Sequence, residues 1–75
     1  MKEETARKID ELFLTSDKGK VYDKVISDTE KALIERALKR SFGNQSIAAK
    51  LLGINRNTLR MRIKRFKIDT GKFRI

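Results

Sequence analysis

Neither cysteine nor histidine occurs anywhere in this chain of 75 residues. That double absence removes disulfides and the usual zinc ligands together. Those are two of the supports on which chains too short to bury a large core rely, and association with a second subunit is the one that remains. Proline is absent as well, and the spacing of apolar residues favours helix along the chain, so a single all-α domain is expected. No apolar run approaches the roughly 20 residues needed to span a bilayer. The opening "MKEETARKIDELF" has mixed charge, without the apolar centre of a signal peptide. A soluble, cytoplasmic protein with no membrane partner is expected, and the lack of cysteine suits that compartment.

Four helices are expected. The first, over about 4–14, carries Ala6, Ile9, Leu12 and Phe13 at helical spacing. "TSDKGK", residues 15–20, follows as a polar loop. "SDTE", Ser27–Glu30, has the pattern of a capping box opening a second helix. Residues 21–26 read equally as a preceding turn or as an earlier start of that helix. Leu33, Ile34, Ala37, Leu38 and Phe42 cover an apolar arc of about 180°, wide enough to pack on the domain itself and on a partner. Gly43 ends the helix in a left-handed position. Asn44 caps a third helix with Ile47, Ala48, Leu51 and Leu52 on its apolar side, and Gly53 ends it. Asn55 caps a fourth, over about 56–66, with Leu59, Ile63 and Phe66 on one face. Leu51, Leu52, Leu59 and Phe66 are expected in the core. The closing "KIDTGKFRI" has no clear period and is expected to be frayed or loosely docked.

Charge is divided unevenly. Residues 1–30 hold six Lys/Arg and eight Asp/Glu, whereas residues 31–75 hold thirteen Lys/Arg and two Asp/Glu; the balances of −2 and +11 sum to the net +9. From Arg36 to Ile68 there are ten basic residues and no acidic one. A solvated face normally mixes signs, so such a block points to a polyanionic partner.

The last two helices have the layout of a helix-turn-helix. Ala49 is small where the helices cross, Gly53 opens the turn with the positive φ that a Cβ penalises, and Ile54 and Leu59 follow to lock the second helix. With Leu59 at 0° and about 100° per residue, Ile63 and Phe66 share its side. Arg60, Lys64, Asn57, Met61 and Arg65 spread from about 100° to 240° on the other. Asn57, Arg60, Met61 and Lys64 thus form an exposed ridge with Asn55 and Arg56 at its tip, the part of such a helix that meets base edges in the major groove. The residue types suit base reading, with Arg56 and Arg60 for guanine, Asn55 or Asn57 for adenine, and Met61 for a thymine methyl. Arg62, Arg65 and Lys67 lie on the flanks, where phosphates would be reached. Asn44, Gln45 and Ser46 present side-chain donors and free amides at a helix N-terminus, suited to a further phosphate. Asn44 and Asn55 are helix caps in either case, and Met61 serves equally as an exposed gap-filler.

"GNQSIAAKLLGINRNTLRMRIKRF", preceded by "EKALIERALKRSF", resembles the Fis-type helix-turn-helix found in the nucleoid protein Fis and in NtrC-family activators of sigma-54 RNA polymerase. The resemblance divides the chain into a dimerisation helix and loop over 1–27, the helix-turn-helix domain over 28–68 and a tail over 69–75. It implies a homodimer whose first two helices intertwine, and paired recognition helices on double-stranded DNA. It places DNA contacts on Asn44, Gln45 and Ser46, and on Asn55, Arg56, Thr58, Arg60, Lys64 and Arg65. There are two departures from Fis itself. Met61 stands where Fis has a lysine, and nothing in residues 1–20 reads as the Fis N-terminal β-hairpin arm. Both favour the C-terminal domain of an NtrC-like activator, with sigma-54 polymerase contacted only through domains outside this chain, which has no "GxxxxGK[ST]" nucleotide loop. A location in the cytoplasm at the nucleoid follows.

Other classes fit less well. An architectural DNA-bending protein is the nearest alternative. For an RNA-binding module the aromatics are poorly disposed, since Phe13, Tyr22, Phe42, Phe66 and Phe73 fall mostly at apolar-face positions. For an anionic membrane surface the apolar faces of the basic helices are too narrow. An enzyme would have to work without His or Cys, and its acids show no matched pair. No cofactor or metal is expected.

Overall fold

The computed structural model describes residues 2–74. Its elements are α1 (Glu3–Thr15), α2 (Val21–Arg40), α3 (Gln45–Leu52), α4 (Arg56–Arg65) and a 3-10 turn over Thr70–Phe73, with no strand among the described residues. The chain is all-α, as its periodicity predicts.

α1 begins with Glu3 and Glu4 in its first turn, where negative charge is favourable against the helix dipole. Ala6, Ile9 and Leu12 are half-buried, and Ile9 and Leu12 lie beside Val25 and Thr29 of α2. No residue of α1 is fully buried, and Phe13 is 66% exposed, off the face its spacing suggests.

α2 is the spine of the fold. It runs 20 residues from Val21, about 30 Å at 1.5 Å per residue, so residues 21–26 are its first turns. The expected capping box is not formed: Ser27–Glu30 lies inside the helix, where the amides already have backbone partners. The Glu30 carboxylate is used elsewhere, accepting a 2.9 Å hydrogen bond from Arg62 Nε of α4.

The core is built from the second half of α2 (Ile34, Ala37, Leu38), from Ala48 and Ala49 of α3, from Leu59 and Ile63 of α4, and from Ile68. Leu52, Phe66 and Phe73 pack at its edge. Among the described residues every buried apolar one therefore lies between 34 and 68, and the hairpin of α1 with the first half of α2 extends beyond that centre. The radius of gyration is accordingly 14.3 Å, against about 11 Å for a compact chain of this length.

Leu51, expected in the core, is exposed, and so are several positions on the expected apolar faces. Leu33 (54%) sits on the outer side of α2. α2 stops at Arg40, and Phe42 follows with φ +53°, which takes its side chain off the helical arc and leaves it exposed. In α3 the buried arc is centred between Ala48, Ala49 and Leu52. Leu51 and Ile47 fall about 100° or more from that centre and are exposed. Ile54 is 38% exposed, so Leu59, fully buried, is the main lock on α4.

Of the two outcomes expected for the closing segment, fraying or loose docking, the described residues up to Arg74 show docking. Lys67 adopts φ +54° and the Ile68 amide donates to Ile63 O, which turns the chain back and buries Ile68. Asp69 Oδ1 accepts from the Gly71 amide at 2.9 Å, the 3-10 turn packs on α2, and Lys72 pairs with Glu35 at 3.6 Å. Gly43 makes room for this return: a Cβ there would lie 2.9 Å from Arg74 Cγ and 3.0 Å from Thr70 O.

Candidate nucleic-acid interface

Two side-chain caps and a left-handed glycine set the geometry of α3 and α4. Asn44 Oδ1 accepts from the Ile47 amide at 3.0 Å, and Asn55 Oδ1 accepts from the Asn57 amide at 2.7 Å. Both asparagines thus hold the capping positions expected of them, with their amide NH2 groups still on the exposed side. Between them Gly53 has φ +73°, and the Ile54 amide donates to Ala49 O at 3.1 Å, closing the turn. Ala48 and Ala49 are almost fully buried, and their small side chains permit close helix approach.

α4 divides its two sides sharply. Leu59 and Ile63 face the core, while Arg56, Asn57, Thr58, Arg60, Met61, Lys64 and Arg65 are all exposed. No acidic residue occurs in the helix. The first turn of α3 stands beside its leading half: one cleft is lined by Asn44, Gln45, Ser46, Arg56 and Arg60 together with Gly43 and Arg74. By helix geometry the Gln45 and Ser46 amides have no intrahelical acceptor. Arg60 also borders a second groove, with Met61, Lys64, Lys67 and Asp69. Arg60 therefore joins the two concavities, whereas Asn55, Asn57, Thr58 and Arg65 line neither. The Arg65 guanidinium lies 5.8 Å from the Phe66 ring centroid, a distance at which the ring face attracts a cation.

Two placements differ from the sequence expectation. Arg62 is not a free flank: its side chain is about two-thirds buried and bridges α4 to Glu30 of α2. Arg74 is the residue that sequence reasoning missed. It reaches the α3 cleft only because the chain reverses at Lys67, and no periodicity announces that turn.

A short helix, a left-handed glycine turn and a second helix with one apolar and one basic face define a helix-turn-helix DNA-binding domain. The chain belongs to the Fis family of bacterial regulatory proteins, whose family model matches residues 25–66. It is similar to the DNA-binding transcriptional regulator NtrC of Azospirillum brasilense, 48% identical over 49 residues that make up 65% of this chain and 10% of that protein. It is similar also to the DNA-binding protein Fis of Buchnera aphidicola subsp. Schizaphis graminum, 36% identical over 67 residues, 84% of this chain and 68% of that one. The chain thus spans a tenth of the length of this NtrC and about two thirds of this Fis. No solved structure matches it. The family is one of DNA-binding regulators rather than enzymes. Among the described residues no helix is long and apolar enough to cross a membrane.

Proposed function

We propose that the chain binds an inverted-repeat DNA site as a homodimer and serves as the C-terminal DNA-binding domain of an NtrC-like transcriptional activator. The observation that carries this reading is the exposed, acid-free face of α4 with the front of α3 beside it. α4 enters the major groove, where Arg56, Arg60, Asn55, Asn57 and Met61 meet base edges. Asn44, Gln45 and Ser46, Thr58, Lys64 and Arg65 take backbone phosphates and set the register.

Dimerisation falls to α1 and α2. Phe13, Leu14, Tyr22, Ile26 and Leu33 are large apolar residues left exposed on these helices, and the elongated shape leaves the hairpin with little of its own domain to cover it. Two such hairpins intertwined would bury those side chains and supply the second subunit that so short a chain needs. The division at 1–27, 28–68 and 69–75 is one of role, since α2 runs through the first boundary. Dimer symmetry sets two half-sites about one helical turn apart. The domain tethers its parent protein to DNA in the cytoplasm, and contact with sigma-54 polymerase belongs to other parts of that parent.

A second reading, a Fis-like protein that bends DNA at deformable steps, draws support from the 68% of the Buchnera Fis that the chain covers. The first test is stoichiometry and salt dependence. Sedimentation should give two chains per duplex. If each subunit neutralises about four phosphates, log Kobs should fall with log salt at a slope near −7. One chain per duplex, or affinity indifferent to salt, would contradict the reading.

A further inference from the structure

The cleft in front of α3 draws on three parts of the chain. Arg56 and Arg60 come from α4, Asn44, Gln45 and Ser46 from the start of α3, and Arg74 from the segment beyond α4. That segment lies outside the residues that the family model matches, which end at 66. Three arginines line one concavity, and no Asp or Glu lines it. Like charges converging on one surface repel each other, and an anion seated among them relieves that repulsion.

Arg74 is held there by a series of specific features. The left-handed Lys67 reverses the chain, and Ile68 is buried in the core. Asp69 caps the 3-10 turn, and the Arg74 amide donates to Gly71 O at 3.2 Å. The Arg74 side chain then passes over Gly43, where a Cβ would approach its Cγ to 2.9 Å. Its stem thus lies close to the Gly43 backbone, in the cleft that Arg56 and Arg60 also line. A planar guanidinium in such a place suits a phosphate oxygen better than a base edge, since it stands beside the recognition helix rather than on it.

We propose that the docked segment 67–74 is a working part of the DNA interface, with Arg74 contacting a backbone phosphate at the front of α3. The assignment rests on the DNA-binding reading given above. Each bound subunit then neutralises one phosphate more than the α3 and α4 residues alone provide.

The test compares the full chain with Arg74→Ala and Arg74→Lys on fluorescently labelled duplexes of two unrelated sequences, over a range of salt. Circular dichroism melts check that each variant folds. Arg74→Ala should weaken binding on both sequences alike, by up to about eightfold per subunit at 0.1 M salt, and should make the log–log slope shallower by about 0.9 per subunit. Arg74→Lys keeps the charge and should restore most of the slope. An Arg74→Ala chain with unchanged affinity and slope overturns the assignment and leaves the DNA-binding reading intact. So does a loss confined to one sequence, which would mark a base contact, or an Arg74→Lys chain as defective as Arg74→Ala. Failure of the unaltered chain to bind either duplex overturns both.

Discussion

Gly43 and Gly53 hold nearly the same backbone conformation, φ +82° and φ +73°, but differ in what surrounds them. A Cβ at Gly53 meets nothing within 4 Å, whereas at Gly43 it would lie 2.9 Å from Arg74 Cγ and 3.0 Å from Thr70 O. Alanine at either position bears the left-handed penalty of about 1–2 kcal/mol, partly offset by an unfolded chain with about 0.4–1 kcal/mol less entropy to lose. Gly53→Ala should therefore cost about 1 kcal/mol, and Gly53→Asn less, because asparagine tolerates this conformation. Gly43→Ala adds an overpacking cost of about 1–3 kcal/mol, since the flexible Arg74 stem can swing aside but the Thr70 carbonyl moves only with the whole turn. The assay is urea unfolding followed by circular dichroism, at one protein concentration because the stability of the proposed dimer would depend on it. If Gly43→Ala and Gly53→Ala cost the same within about 0.5 kcal/mol, the docking of segment 67–74 on Gly43 is refuted.

Three further outcomes are expected. Leu38→Ala, at a fully buried position, should lose about 2–5 kcal/mol in the same unfolding assay, a large part of the roughly 4–11 kcal/mol that a chain of this size has in total. Asn55→Ala removes the cap on the Asn57 amide and should cost about 1 kcal/mol, seen as a melting midpoint about 4–8 °C lower. Arg56→Ala and Arg62→Ala should separate reading from support. The first should lose about 1–3 kcal/mol of affinity on a preferred site and relax the preference at one base pair per half-site. The second breaks the Glu30 bridge, costing about 0.2–1 kcal/mol of stability, and should leave the salt slope of DNA binding unchanged.

The parts of the fold legible in the sequence are those encoded locally. Asn44, Gly53 and Asn55 each act on amides or dihedrals within a few residues, so α3, its turn and the start of α4 could be read directly. The exposed side of α4 could be read too, since Leu59 and Ile63 alone fix which way the helix faces. Less was legible where distant partners decide. "SDTE" looks like a helix start, yet α2 runs through it, because Val21 and Val25 continue the apolar spacing; the true N-cap, Lys20, makes no side-chain capping hydrogen bond that would announce the start. Leu51 looks like core and Phe42 like part of the α2 apolar arc from spacing, but the depth of a short helix depends on which neighbour it meets, and Phe42 lies past the helix end. Arg62 is indistinguishable from the other arginines of α4 until Glu30, 32 residues away, is seen beside it. The return of the closing segment hangs on a left-handed lysine, a conformation with no signature in sequence.

Whether the exposed face of α4 reads sequence as a symmetric pair can be decided by selecting bound duplexes from a random DNA pool at near-physiological salt. A symmetric pair of reading helices should recover an inverted repeat with half-sites about one helical turn apart. Recovery of no consensus, or only of flexible steps such as TA and CA/TG, would refute sequence reading and make this helix a grip on the DNA backbone.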